Sequence, residues 1–181
     1  MTNNFDNALQ LVLKEEGGFV NDPQDPGGIT NLGVTQRVWE AFVGRPVNES
    51  DMRALTPAMV APLYRQNYWE RVHCDDLPLG VDYAVMDFAV NSGTSRAAKT
   101  LQAACGVTQD GSIGAQTLQA VNSADPVTLI DAVCDKRLAF LQSLPSFNHF
   151  GKGWSDRVAR VKAASEQMQQ QQGSQVAAGQ R

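Results

Sequence analysis

Paired cysteines, basic charge and long apolar runs are all scarce in this sequence. Its three cysteines, Cys74, Cys105 and Cys134, are too few and too widely spaced for a disulfide framework or a CxxC motif, so we expect small buried side chains. The two histidines, His73 and His149, lack partners at ligand spacing, and no metal site or cofactor is expected. A net charge of −4 gives no indication of a nucleic-acid partner.

Targeting signals are absent from the sequence as well. The first residues have neither the basic flank nor the apolar run of a signal peptide, and no stretch approaches the length of a membrane span. We therefore expect synthesis in the cytoplasm and no membrane insertion. With 181 residues, 43% hydrophobic and 19% charged, the chain has the composition of a soluble globular protein with one sizeable core or two small ones.

An N-terminal helix leads to the most informative stretch of the chain. Apolar residues three and four positions apart predict one buried stripe on this helix, and Glu16 extends the stripe. Gly17 and Gly18 then end the helix. Burial and the negative end of the helix dipole would both disfavour the charged form of Glu16, as a general acid requires. Glu15 points about a hundred degrees away and should be more solvated. The apolar stripe consists of Phe5, Leu9, Val12 and Leu13.

The segment after the glycines is rich in Asp, Pro and Gly. Residues 21–23 and 25–28 are turn sequences, because proline fixes one dihedral angle and glycine permits positive ones. Such a loop can fold back over the helix end and present Asp25 and Thr30 opposite the carboxyl group of Glu16. Asp22 is an alternative to Asp25.

These residues resemble a known family. Glu16, Asp25 and Thr30 follow the Glu-Asp-Thr order of phage-type lysozymes, and the strings Glu-Gly-Gly-Phe, Asp-Pro-Gln-Asp-Pro-Gly-Gly-Ile-Thr and Gly-Val-Thr resemble glycoside hydrolase family 108. Members of that family are peptidoglycan-cleaving muramidases, among them phage endolysins and accessory muramidases of bacterial secretion. The resemblance covers roughly residues 5–95. The rest, to about residue 170, resembles the small helical peptidoglycan-binding domain that usually follows.

Candidate substrate-binding residues lie in two later segments. Tyr68 and Trp69 follow a helix that Thr56-Pro57 should start; rings and amides in this region suit sugars, although both residues could equally be core. A central, mostly buried helix is predicted over residues 79–91, interrupted by polar residues that include Tyr83. Its end resembles the cleft floor of lysozyme-like enzymes, which makes Asn91 a candidate substrate contact or, alternatively, a helix cap.

The predicted fold is mainly α. A lysozyme-like helical domain with a short β-hairpin within residues 29–34 occupies residues 1–94, and a small helical domain occupies residues 95–168. In the second domain, an Asp110-Gly111 turn precedes a short helix, residues 145–153 form a loop, and a last helix begins at Trp154. A polar tail, residues 169–181, is expected to be disordered.

The resemblance implies hydrolysis of the β-1,4 bond between N-acetylmuramic acid and N-acetylglucosamine. Glu16 would be the acid, Asp25 would activate water or support the developing cation, and Thr30 would orient the water. The expected partner is the peptidoglycan glycan strand, and the expected state is a monomer. A phage endolysin, freed by a holin-type or dedicated route to act on the cell wall, fits the missing signal. Alternatives are a lytic transglycosylase, a chitinase-like specificity, and a non-catalytic wall-binding or secretion accessory protein.

Overall fold

The chain folds into two compact units. The computed structural model describes residues 4–21 and 28–179, with side chains described as far as residue 174. The N-terminal unit is Phe5–Asn67, and the C-terminal unit is Tyr68–Arg181 together with Met1–Asn4. The predicted catalytic domain, residues 1–94, therefore includes residues of both units. Within the described residues, no helix is at once long and apolar enough to cross a bilayer.

The described residues of the N-terminal unit form short helices and a hairpin. Two of the helices begin at a threonine cap, Thr35 and the predicted Thr56: Thr35 Oγ1 and Thr56 Oγ1 each accept a hydrogen bond of 3.3 Å, from the N–H groups of Val38 and Met59. The mainly helical architecture with one short hairpin confirms the predicted fold class. In chain order the elements are α1 (Phe5–Glu16), β1 (Thr30–Asn31), β2 (Val34–Thr35), α2 (Gln36–Val43), α3 (Glu49–Arg53) and α4 (Pro57–Tyr64).

One long buried helix forms the centre of the C-terminal unit. The unit begins within a π-helical turn (Arg65–Trp69) and contains α5 (Val81–Ser92), α6 (Thr94–Ala104), α7 (Ala115–Ser123), α8 (Pro126–Gln142) and α9 (Phe147–Gly179). Helix α5 contacts α6, α8 and α9, and every residue from position 81 to position 89 is buried. The predicted central helix is thereby confirmed.

The last helix is longer than the sequence predicts. Helix α9 begins at Phe147 rather than at Trp154, so most of the predicted loop over 145–153 is helical. The rings of Phe147 and Trp154 lie 6.3 Å apart across the first two turns. This contact stabilises the helix over the segment that contains Gly151 and Gly153. The helix also continues to Gly179, where a disordered tail was predicted, because the Gln- and Ala-rich sequence lacks proline and has adequate helix propensity.

A buried glutamine organises the predicted Asp110-Gly111 turn. Gln102 Nε2 donates to Asp110 Oδ1 at 2.7 Å and to Ser112 O at 3.0 Å, and Gln102 Oε1 accepts from the Gly111 N–H at 2.9 Å. Gly111 adopts a φ of 83°, as a tight turn of this kind requires. One buried side chain of α6 therefore holds this turn and satisfies hydrogen-bonding groups of Asp110, Gly111 and Ser112.

Two arginines surround one buried carboxylate in the C-terminal unit. Asp87 of α5 is fully buried and accepts from Arg137 Nη1 at 2.7 Å. Arg157 of α9 donates to the same carboxylate twice, from Nη2 at 2.9 Å and from Nε at 3.1 Å. Arg137 Nη2 also reaches Asn91 Oδ1 at 3.2 Å. The polar positions of α5 thus tie it to α8 and α9 instead of facing solvent.

A second buried carboxylate, Asp82, lies at the start of α5. Its Oδ1 accepts from the N–H groups of Gly80 at 2.8 Å and Tyr83 at 2.6 Å, and Asn4 Nδ2 donates to it at 3.1 Å. Burial raises the pKa of Asp82 from 3.8 to about 6, and these hydrogen bonds oppose the rise.

The high pKa of Asp82 predicts a pH dependence of stability. Because the folded protein holds this proton more tightly than the unfolded chain, stability is lost as the pH rises from 3.8 to about 6. At about 1.4 kcal/mol for each pH unit between the two pKa values, the full loss is about 3 kcal/mol. Asp82→Asn should remove this part of the pH dependence, measured as the free energy of urea unfolding between about pH 4 and pH 7. Equal slopes in both proteins would contradict the assignment.

Candidate active site

Glu16 occupies the C-terminal end of α1. The helix buries one apolar stripe, and Glu16 follows Val12 and Leu13 on that side and is half-buried. Gly17 then takes a φ of 80°, a left-handed conformation in which glycine ends helices at little cost. The sequence therefore places this carboxyl group at the edge of a core. Glu15 is half-buried too, so exposure alone does not separate the two carboxylates.

A two-residue hairpin turn packs directly against Glu16. The turn is Leu32-Gly33, with φ values of 51° and 73°, and positive values at both central residues are typical of hairpins. A Cβ atom added to Gly33 would lie 2.8 Å from Glu16 Cγ and 2.5 Å from Tyr64 Oη. Only a glycine backbone can approach the Glu16 side chain this closely.

Tyr64 also holds this turn. Its hydroxyl donates to Leu32 O at 2.8 Å, and its side chain is buried at the end of α4. This hydrogen bond supports Leu32 in a left-handed conformation that is uncommon for residues other than glycine. Glu16 consequently borders on the turn of the hairpin and is partly shielded from water.

The hairpin also carries Thr30 and closes the Asp-rich loop. The backbone groups of Val20 and Thr30 exchange two hydrogen bonds, of 2.8 and 2.9 Å, so these two residues lie side by side. Thr30 pairs with Thr35 on the opposite strand. The structure thus brings Thr30 into the hairpin whose turn contacts Glu16. Asp25 and its rival Asp22 lie outside the described residues.

Helix α3 anchors both ends of this loop. Asn31 is buried, and its Nδ2 donates to Met52 O at 2.8 Å. The Arg53 guanidinium lies 3.8 Å from the centre of the Phe19 ring, within range of a cation–π interaction. Asn21 Nδ2 donates to Glu49 Oε2 at 3.2 Å. The segments on either side of the Asp-rich loop are therefore fixed to one helix.

Two of the predicted substrate-binding residues belong to the core instead. Trp69 is 1% exposed and donates from Nε1 to Asp75 Oδ1 at 2.8 Å, and Tyr83 is 2% exposed within α5. Neither ring has a face on which a sugar could stack. Tyr68 is half-buried. Asn91, also half-buried, accepts from Arg137, and its binding role stays a prediction.

Sequence reasoning missed Gly33, whose backbone lies against Glu16, and Tyr64, which bonds to the same turn. Gly33 stands out in the sequence only within the matching string and the predicted hairpin, because Leu-Gly is not one of the dipeptides typical of two-residue hairpin turns. Tyr64 carried no signal of its role, because its contact with Leu32 depends on how α4 packs in the fold.

Two family models match the chain. The model described as Glycosyl hydrolase 108 matches residues 9–93, and the model described as Predicted Peptidoglycan domain matches residues 96–159. Among solved structures, the structure of Brucella abortus SagA is 47% identical, with a TM-score of 0.80, over 91% of this chain and 95% of that chain. A comparison with curated proteins found no match. The chain therefore belongs to the glycosyl hydrolase 108 family, as a peptidoglycan hydrolase with a peptidoglycan-binding domain.

Proposed function

We propose that the protein is an N-acetylmuramidase, which hydrolyses the β-1,4 bond between N-acetylmuramic acid and N-acetylglucosamine. The observation that carries the proposal is the half-buried Glu16, placed against the Gly33 turn at the end of α1. A glycosidase needs one carboxylic acid beside the scissile bond to protonate the leaving oxygen, and Glu16 is the carboxyl group that borders on the hairpin turn.

In the proposed reaction, Glu16 donates its proton to the glycosidic oxygen as the bond to the sugar breaks. Asp25 would act as a carboxylate that either activates a water molecule or supports the positive charge that develops on the sugar. Thr30 orients that water through its hydroxyl group. A separation of about 6.5–9.5 Å between the two carboxyl groups would give inversion at the anomeric carbon, and about 5 Å would give retention.

The biological setting is proposed on the sequence alone. The protein would act as a monomeric endolysin on the cell wall, after a holin-type or dedicated route has released it from the cytoplasm. Asn91 and Tyr68 are the remaining candidates for contacts with the glycan strand, since both are half-buried.

Product analysis tests the proposed reaction. Purified sacculi digested with the protein should yield fragments that end in reducing N-acetylmuramic acid, identified by mass spectrometry after borohydride reduction. Ends of 1,6-anhydro-N-acetylmuramic acid would instead identify a lytic transglycosylase, and reducing N-acetylglucosamine would identify cleavage of the other bond. Binding to sacculi without release of fragments would indicate a non-catalytic wall-binding protein.

A further inference from the structure

The hydroxyl group of Tyr64 and the side chain of Glu16 converge on Gly33. A Cβ atom built on this glycine would lie 2.5 Å from Tyr64 Oη, 2.8 Å from Glu16 Cγ and 2.9 Å from Glu16 Cβ. These distances are too short for a real side chain, so the bare backbone of Gly33 is in contact with both groups at once. The contact with the acid is made along its stem, and its carboxyl group extends beyond the turn.

The hairpin that carries Gly33 needs support from the rest of the N-terminal unit. It has only two residue pairs in register, and a hairpin of this size is marginally stable on its own. Leu32 also has a φ of 51°, which is unfavourable for a residue with a side chain. Asn31 fixes one strand to α3, and Tyr64 Oη fixes the turn by donating to Leu32 O at 2.8 Å. The position of the turn against Glu16 therefore depends on the phenol.

Tyr64 itself belongs to the core of the N-terminal unit. It is the last residue of α4 and 1% exposed, and Val60 and Leu63 of the same helix are buried with it. Helix α4 packs on α1, the helix that ends at Glu16. The phenol and the acid thus extend from two helices in contact, which gives the phenol a fixed position relative to the start of the Glu16 side chain.

Satisfying a buried phenol does not by itself explain this arrangement. A buried tyrosine hydroxyl needs an acceptor, and any carbonyl group of the core could serve. The acceptor here is instead a left-handed turn residue next to the glycine that contacts Glu16. An acceptor elsewhere would satisfy the phenol and leave the turn free to move.

We propose that Tyr64 is a positioning residue for Glu16, with the Leu32-Gly33 turn as the intermediary. Because the turn contacts Cβ and Cγ of Glu16, it restricts rotation about the first two side-chain bonds and so limits the directions in which the carboxyl group can point. The proposal rests on the proposed function for the role of Glu16 as the acid. Displacement of a reacting group by about 1 Å can cost up to about 10²-fold in rate.

Tyr64→Phe removes the hydroxyl group and keeps the ring in the core. Initial rates of reducing-end formation are measured with soluble, uncross-linked peptidoglycan strands over a range of concentrations. We expect kcat to fall about tenfold and KM to stay within about twofold, because the turn orients the acid and is not expected to hold the glycan. Unchanged kcat in Tyr64→Phe would overturn the proposal.

A second substrate separates orientation of the acid from a general effect on the site. In this substrate, dinitrophenol replaces the sugar that leaves from N-acetylmuramic acid. Dinitrophenolate is a good leaving group that needs no proton, so the position of the acid hardly affects its release. Tyr64→Phe should therefore cleave the aryl substrate at close to the wild-type rate. An equal loss on both substrates would contradict the proposed role.

Thr56→Ala is the matched control, because it weakens the same helix and leaves the phenol intact. Thr56 Oγ1 caps α4 by accepting from the Met59 N–H at 3.3 Å. Loss of a helix cap and loss of one buried hydrogen bond lower stability by similar amounts, which thermal unfolding would verify. Thr56→Ala should keep kcat within about twofold of wild type, and a tenfold loss there would overturn the proposal. A wild type that releases no fragments would contradict the proposed function instead.

Discussion

Glu16→Gln is expected to abolish release of fragments from sacculi while the protein stays folded. The amide has nearly the same shape as the carboxyl group, so its packing against the Gly33 turn should persist. It cannot donate a proton to the leaving oxygen, and general acid catalysis is worth about 10²–10⁴-fold in rate. The measurement is the initial rate of turbidity loss or of reducing-end formation, with thermal unfolding recorded for the same preparation.

Glu15→Gln is the matched control for this experiment. Glu15 is the adjacent carboxylate, is also half-buried, and does not continue the apolar stripe of α1. Its substitution should leave the rate within about twofold of wild type, as expected of a side chain without a role in the reaction. Full activity of Glu16→Gln would remove the mechanism. Equal losses in both variants would show that the end of α1, rather than one acid, had been damaged.

The features of the site that depend on local sequence could be predicted. The helix stripe, its end at Gly17, the hairpin, and the caps Thr35 and Thr56 all depend on residues within a few positions of one another. Their physical causes, side-chain periodicity and permitted backbone angles, are properties of short segments. For this reason the general position of Glu16 and Thr30 followed from the sequence.

Features that depend on packing could not be predicted in this way. An aromatic residue such as Trp69 can stack on a sugar or fill a core, and only its 1% exposure in the fold decides between the two. The contact of Tyr64 with Leu32 joins residues 32 positions apart. The early start of α9 likewise depends on ring contacts of Phe147. Sequence reasoning does not show these contacts, because the two glycines of that segment favour a loop.

The buried carboxylate Asp87 gives the largest expected effect on stability. In Asp87→Asn, Arg137 and Arg157 would keep their positive charges, but the single anion that they share would be gone. Arg137 is 1% exposed, so its charge cannot be solvated by water. Removal of one partner from a buried ion pair costs about 3–5 kcal/mol, far more than the pair itself contributes.

Replacing Arg137, the cationic partner, should destabilise the protein less than replacing Asp87, and this asymmetry is the test. In Arg137→Met, Asp87 keeps its hydrogen bonds from Arg157, and the methionine fills much of the space of the arginine stem. The double variant that carries both Asp87→Asn and Arg137→Met should then have a larger free energy of urea unfolding than Asp87→Asn alone. Asp156→Asn, which breaks an exposed pair with Lys152, is the control and should hardly move the midpoint. If Arg137→Met proved as damaging as Asp87→Asn, lost packing rather than an unpaired buried charge would be the cause.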